Sequence, residues 1–319
     1  MTRHQRRFPV ICGPTAGGKT AAAVALAHVL ADRGLQAEVV TADAFQVYRA
    51  MDIGTAKPSL AEREGVPHHL IDLVDPTERF TLDRWLSAAE AKIDELKARA
   101  AVPIVVGGTH LYIKALMEGL FDGPAADAAL RADLEAMGPA ARRAELERVD
   151  PRAAARIHPN DARRTVRALE VFRLTGRPIS DHQGQWDRAG GSRTDARLVA
   201  LNWPTELLNR RINARVKQMM EQGLLEEVQR LMAGPGLGPQ AGEALGYKQL
   251  RLLLSERSAP GPRELEDAVE RIKIDTRRFG KNQRTWLKRL SLIDGCLALD
   301  AAAQTPQQIA QTVVASILT

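Results

Sequence analysis

Apolar and polar positions change their period several times along the first third of the chain, and each change marks an element. A continuous apolar run, Val10 to Cys12, leads into the glycine-rich stretch "GPTAGGKT". The following "TAAAVALAHVLADRG" then carries apolar residues at helical spacing until Gly34, so strand, loop and helix are predicted in that order. Next, "AEVVTAD" predicts a short strand ending at Asp43, the amphipathic "LDRWLSAAEAKIDELKARAA" a helix, and "VPIVVGGT" a third, buried strand stopped by two glycines. Strands alternating with helices predict a parallel α/β sheet, whose ligand crevices open at the carboxyl ends of the strands. Asp43 and Thr109 are therefore expected beside the glycine-rich stretch.

From about Pro124 to Leu198 the strand pattern stops. The chain there is rich in Ala and Arg at helical spacing, broken at Gly138-Pro139, His158-Pro159 and Gly176-Arg177-Pro178. A helical insertion over 124–198 is expected, inside a core made of 1–123 and 199–319. "RLVALNW" restores one strand, and "LNRRINARVKQMMEQGLLEEVQRLM" predicts a long amphipathic helix that ends in the linker "AGPGLGPQAGE". No internal repeat or heptad array interrupts this organisation.

Composition narrows the class. With 319 residues, 45% hydrophobic and 26% charged, the chain can bury one large core plus a smaller domain, which excludes disordered and collagen-like classes. Forty-five Lys and Arg against thirty-nine Asp and Glu leave a formal charge of +6, a modest excess that suits a polyanionic partner and equally suits plain solubility. Two cysteines, Cys12 and Cys296, build neither a disulfide framework nor a metal knot, and a reducing cytosol fits them. The N-terminal "MTRHQRRFPVICGPT" is basic, but the glycine loop breaks its apolar run. A cytoplasmic protein without a signal peptide or membrane span is expected.

The glycine loop, Gly13, Pro14, Thr15, Ala16, Gly17, Gly18, Lys19 and Thr20, has the GxxxxGK[ST] spacing between a strand and a helix. Its backbone N–H groups wrap phosphate oxygens and the helix N-terminus adds its dipole. Lys19 is expected at the terminal phosphate and the Thr20 hydroxyl on Mg²⁺, a hard cation that prefers oxygen. Any diphosphate fits such a loop. Asp43, at a strand end beside it, suits either a general base or a magnesium-shell ligand, and the residues alone do not separate the two. Near the C-terminus, "RIKIDTRRFGKNQRTWLKRL" gathers eight Lys and Arg against the single acid Asp275, with one packable stripe and basic faces that suit a phosphodiester backbone. A second basic set, "HPNDARRTVRALEVFRLTGRP", lies in the insertion. Two separated basic surfaces favour a large polyanion. His68 and His69, being adjacent, point apart and have no partner at ligand spacing, so they are expected in a loop or core; Trp85, Trp186 and Trp203 are expected to pack.

Taken together, "GPTAGGKT", "ADAFQVYRAMDIGTAKP", "VGGTHLYIKAL", "HPNDARRTVRALEVFRLTGRPIS", "MMEQGLLEEV", "ALGYKQL" and "TRRFGKNQRTWLKRL" resemble, in order and spacing, the tRNA dimethylallyltransferases, also called tRNA isopentenyltransferases. The resemblance covers nearly the whole chain. It implies a P-loop NTPase-like parallel sheet flanked by helices, with a small all-helical insertion. The implied activity is transfer of a dimethylallyl group from dimethylallyl diphosphate, with Mg²⁺, to N6 of the adenosine 3′ to the anticodon in tRNA. By the same resemblance Asp43 falls on the general base, Thr109 on a threonine that contacts the leaving group and the tRNA, and Arg215 on a diphosphate-binding arginine. Contacts to the tRNA anticodon stem-loop are implied for Asp43, Ala44, Phe45, Gln46, Thr109 and Arg131, and for Arg163, Arg164, Thr165, Val166 and Arg167 in the insertion. They are implied also for Glu243, Ala244, Leu245, Gly246, Tyr247 and Lys248, and for Lys281, Asn282, Gln283, Arg284, Thr285, Trp286, Leu287 and Lys288. A monomer is expected. The chain departs from the family pattern at Ala44, where serine is common, at Gly280 and Asn282, which replace an alanine and an arginine, and at His110. These departures bear on RNA affinity and leave the reaction type untouched.

Two other classes compete with that reading. A P-loop kinase of a small molecule or nucleotide would leave the second basic surface without a use. An RNA-binding protein with a vestigial P-loop would make Asp43 and Thr109 structural.

Overall fold

The computed structural model describes residues 7–119, 123–182, 193–257 and 259–318. Two compact units divide the chain: Met1–Leu116 with Arg193–Thr319, and Met117–Ser192. In the larger unit the described strands are β1 (Phe8–Cys12), β2 (Ala37–Ala42), β3 (His68–His69), β4 (Val102–Gly107), β5 (Ala196–Asn202) and β6 (Leu297–Asp300). They form one sheet in the order β3-β2-β4-β1-β5-β6, every pairing parallel. The central strands β1 and β4 are buried on both faces, as continuous apolar runs in a parallel sheet must be.

Helix α1 (Lys19–Ala31) follows the glycine loop, and eight of its residues are buried. An Ala- and Val-rich helix with apolar residues all round needs cover on several sides. The sheet supplies one side, through Ile104, Val106 and Val199. The last described helix supplies another, through Ile309, Ala310, Val313 and Val314. The remaining described helices before the insertion are α2 (Leu60–Arg63), α3 (Leu82–Ala98) and α4 (His110–Glu118). Trp85 on α3 is fully buried, stacks on Tyr112 with ring centroids 4.5 Å apart, and donates Nε1–H to Thr41 O at 2.9 Å. Trp186 lies outside the described residues.

The smaller unit holds α5 (Ala128–Ala136), α6 (Pro139–Val149), α7 (Pro151–Arg156), α8 (Ala162–Thr175) and α9 (Ile179–His182). Leu134, Leu146, Leu169 and Val171 form its core, and Glu170 is a buried charge within it. The Glu170 carboxylate accepts from Arg131 Nε and Nη2 at 2.9 Å each, from Arg167 Nη1 at 2.6 Å and from Asp127 N at 2.8 Å. Burial alone would raise this carboxyl, but the donors outweigh it and hold it below the usual carboxylate range. Replacing Glu170 by glutamine strands two guanidinium groups and is expected to destabilise this unit by about 3 to 5 kcal/mol, read as a lower urea midpoint by circular dichroism. Because the folded value is depressed, this contribution is present above the unfolded carboxylate range and lost as pH falls below about 4. An unchanged midpoint would contradict the assignment.

Beyond β5 come α10 (Thr205–Glu221), α11 (Leu224–Ala233), α12 (Tyr247–Glu256), α13 (Pro262–Leu290) and α14 (Pro306–Ile317), counting described helices. The single long helix expected over "LNRRINARVKQMMEQGLLEEVQRLM" is two, because Gly223 adopts φ 95, a left-handed turn that ends α10. The 29-residue α13 buries Ile272, Gly280, Gln283, Leu287 and Leu290, one face of a helix. At Gly280 an added Cβ would lie 3.2 Å from Ile212 Cδ1, so α10 and α13 approach closely there.

Candidate active site

The strand ends bring the predicted residues together. Ala42 and Gly107 are register partners at the ends of β2 and β4. They are so close that a Cβ on Gly107 would lie 2.0 Å from Ala42 O, so only glycine permits the crossing. One step further, Thr109 N donates to Ala42 O at 3.3 Å and Ala44 N donates to Thr109 Oγ1 at 3.0 Å. Asp43 sits between, with Oδ1 accepting from Phe45 N at 2.9 Å and Gln46 N at 3.3 Å.

A cavity of about 430 Å³ opens there, lined by Thr15 to Thr20, Asp43, Gln46, Arg215 and Gln283 among others. Gly13 and Pro14 are buried beneath the loop, where Pro14 O accepts from Lys19 Nζ at 2.9 Å and from Gly17 N at 3.1 Å. Thr20 lines the same cavity, and its hydroxyl is an oxygen donor of the type Mg²⁺ takes. Three groups from outside grip the loop. Gln283 is buried; its Oε1 accepts from Thr15 N at 2.7 Å and its Nε2 donates to Gly108 O at 2.9 Å. Arg211 Nε donates to Ala16 O at 2.7 Å, and Trp203 Nε1 donates to Gly17 O at 3.1 Å.

The electrostatics suit an anion of several charges. Lys19, Arg211 and Arg215 line the cavity, opposed by Asp43 and Glu62. Burial and the neighbouring Arg215 push the Lys19 ammonium down to about 8, although Asp43 and Cys12 pull the other way. Arg215 is lowered by burial and by Arg211, against Glu62 and Asp43. Crowded cations of this kind hold repulsion that a bound polyanion relieves.

Arg211 and Trp203 carry functions that the sequence did not disclose. The Arg211 guanidinium lies 4.5 Å from the Trp203 ring centroid, which fixes its plane, and the i, i+4 spacing puts it on the same α10 face as Arg215. Only the helical period around Arg215 could have pointed to it. Replacing Arg211 by methionine is expected to weaken inorganic pyrophosphate about 10- to 100-fold, the range for loss of one charge-assisted bond, by titration calorimetry. Unchanged affinity would confine Arg211 to packing. His68 was also missed as a cavity residue: it lines the cavity, with Nδ1 2.9 Å from Val66 O and no hydrogen-bond partner at Nε2 among the described residues. Burial lowers its pKa, so the neutral ring presents Nε2 as an acceptor. His69, one position on, turns away to Glu38, with Nε2 2.6 Å from Oε2.

The residues implied for RNA divide by exposure. On α13, Lys281, Asn282, Thr285 and Lys288 are exposed and Arg284 and Trp286 half-buried, whereas Gln283 and Leu287 point inward. Lys281, Arg284 and Lys288 have no acidic partner among the described residues, while Arg271 and Arg278 pair with Asp275 and Lys273 with Glu270. Glu243 pairs with Lys248 at 2.7 Å, Leu245 is half-buried, and Ala244, Gly246 and Tyr247 are buried. In the smaller unit Arg163 and Arg164 are exposed, Thr165 and Val166 lie in the core, and Arg131 and Arg167 are held by Glu170.

The family described as IPP transferase matches residues 46–290. The chain belongs to the IPP transferase family. Among curated relatives, the tRNA dimethylallyltransferase of Thermomicrobium roseum is 44% identical over 298 residues, covering 91% of this chain and 86% of that protein. That of Paracidovorax citrulli is 42% identical over 94% of this chain and 88% of its own. Of solved structures, the tRNA isopentenylpyrophosphate transferase of Bacillus halodurans superposes with a TM-score of 0.69 at 35% identity, covering 98% of this chain and 97% of that one. A eukaryotic dimethylallyltransferase, caught acting on tRNA, gives a TM-score of 0.80 at 30% identity, covering 97% of this chain and 78% of that one. Among the described residues no helix is long and apolar enough to cross a membrane.

Proposed function

We propose that this chain transfers a dimethylallyl group from dimethylallyl diphosphate to N6 of the adenosine at position 37 of tRNA, 3′ to the anticodon, releasing diphosphate. The observation that carries the reading is a phosphate loop sharing one cavity with an aspartate and three cations, in a member of the IPP transferase family. In this reading the loop holds a prenyl diphosphate, and the product is diphosphate.

An exocyclic adenine amine is a weak nucleophile, its lone pair delocalised into the ring, so alignment and charge stabilisation carry the catalysis. N6 attacks the allylic carbon as the carbon–oxygen bond breaks. The bonding pair leaves on the diphosphate, and the N6 proton passes to Asp43. Lys19, Arg211 and Arg215 stabilise the departing charge, and Thr109, oriented by Ala44 N, offers its hydroxyl to the leaving group. The adenine must leave the stack of the anticodon loop, at a cost of a few kcal/mol. Phosphodiester contacts by Lys281, Arg284 and Lys288, and by Arg163 and Arg164, offset that cost.

Among the described residues no group of three or more His, Cys, Asp or Glu could hold a metal by itself. Mg²⁺ keeps waters and takes one or two protein oxygens together with phosphate oxygens; the Thr20 hydroxyl, which lines the cavity, would be one. Bound there, it would neutralise charge on the diphosphate. The reaction so proposed is that of a monomer acting in the cytoplasm.

Mass spectrometry of bulk tRNA from a deletion strain tests the proposal. The prenylated adenosine should be missing and its unmodified form should take its place. Undiminished prenylated adenosine would remove this chain from the reaction.

A further inference from the structure

Three segments distant in sequence meet around one buried carboxylate. Glu227, on α11, is 3% exposed. Its Oε2 accepts from Asp52 N at 3.1 Å and Ile53 N at 2.9 Å; its Oε1 accepts from Ile53 N at 3.2 Å, from Gly54 N at 3.3 Å and from the Tyr247 hydroxyl. Consecutive backbone N–H groups converging on one point make an anion-binding nest, and here the occupant is internal. Tyr247 is fully buried, and its ring lies against the same turn: a Cβ on Gly54 would fall 2.4 Å from Tyr247 Cε2.

The far side of this turn leads to the chemistry. Lys57 Nζ donates to Tyr48 O at 2.8 Å and pairs with Asp52 and Asp72 at 2.6 Å each, which ties the turn to its own base. Gln46 Nε2 donates to Thr55 O and Ala56 O, both at 3.2 Å, and Gln46 N donates in turn to Asp43 Oδ1 at 3.3 Å. A continuous set of bonds therefore runs from Glu227 through residues 52–57 and Gln46 to Asp43. The phosphate loop is gripped separately, by Gln283, Arg211 and Trp203.

We propose that Glu227 and Tyr247 form a latch that holds the 51–57 turn in the single conformation that orients Gln46 and Asp43, which makes both of them positioning residues for the transfer. The latch reassigns Tyr247 from the RNA surface to the interior, and it gives "DIGT", "GLLEEV" and "LGY" one shared purpose. Its catalytic consequence rests on Asp43 being the proton acceptor.

In Glu227→Gln the amide presents an NH₂ where the turn presents only N–H donors, so donor faces donor and the turn must shift. Displacement of about 1 Å at a reacting group costs on the order of 100-fold in rate. With both substrates saturating, kcat is expected to fall about 10- to 100-fold, while inorganic pyrophosphate binds within about twofold of wild type because its loop is held elsewhere. Tyr247→Phe keeps the ring and loses one donor, so a smaller fall in the same direction is expected, with folding intact by circular dichroism. Hydrogen exchange of the free proteins completes the test: amides of 51–57 should exchange faster in both variants, and those of 13–20 should not. Faster exchange with unchanged kcat would overturn the positioning role. So would a parallel loss of pyrophosphate affinity, or wild-type behaviour of both variants. Exchange is read without substrates, so if the wild-type protein transferred no prenyl group, the functional reading would fall while the latch still faced its own test.

Discussion

Replacing Asp43 by asparagine is expected to slow single-turnover prenyl transfer by a factor of about 10² to 10⁴, the range for loss of a general base. The substitution is close to a clean one. Oδ1 holds Phe45 N at 2.9 Å and Gln46 N at 3.3 Å, and the asparagine carbonyl can keep both bonds. What disappears is the capacity to take the N6 proton, an interaction needed only in the transition state, so both substrates should bind about as before. If Asp43 instead belongs to the magnesium shell, the variant should recover much of its rate at high Mg²⁺. A magnesium titration with both substrates saturating separates the roles, and recovery would remove Asp43 as the proton acceptor without touching prenyl transfer itself.

Lys19→Ala comes next in size. It removes a point charge from a loop where that charge is enclosed, and about 2 to 4 kcal/mol of activation free energy should be lost, as for other single electrostatic donors. RNA binding in the absence of diphosphate should survive. The pH dependence gives a second check. Burial and Arg215 push Lys19 down to about 8, so in the free enzyme its charge, and with it diphosphate affinity, declines as pH rises through that value. A guanidinium is far harder to deprotonate than an ammonium, so Lys19→Arg should abolish that alkaline limb when the two proteins are titrated with pyrophosphate side by side. Near-normal transfer by Lys19→Ala would take the loop out of catalysis.

What could be read in the sequence was local. The phosphate loop declares itself by glycine spacing. β1 and β4 are continuous apolar runs, and Asp43 and Thr109 follow from the rule that parallel strands point their carboxyl ends at one crevice. β3, two residues, and β6, four residues, are too short to set a period. The break at Gly223 turns on a left-handed conformation that a lone glycine in a helical pattern does not announce. The family resemblance implies Gln283 as an RNA contact, as part of the segment from Lys281 to Lys288. Yet Gly280, Gln283, Leu287 and Leu290 share the buried face of α13, and that spacing was available to be read. The grip of Arg211 and Trp203 on the loop was not, since it pairs residues 195 and 186 positions apart.

In the proposed reaction the phosphate loop serves a prenyl diphosphate and RNA is the acceptor. Incubating the purified protein and Mg²⁺ with unmodified tRNA and dimethylallyl diphosphate labelled in the prenyl group, beside a parallel reaction with ATP labelled at the γ-phosphate, tests it most directly. Prenyl label is expected in the RNA, on N6 of the adenosine 3′ to the anticodon, with diphosphate released and no phosphate transferred from ATP. Label absent from the RNA, or γ-phosphate moved to an acceptor, would contradict the proposed reaction.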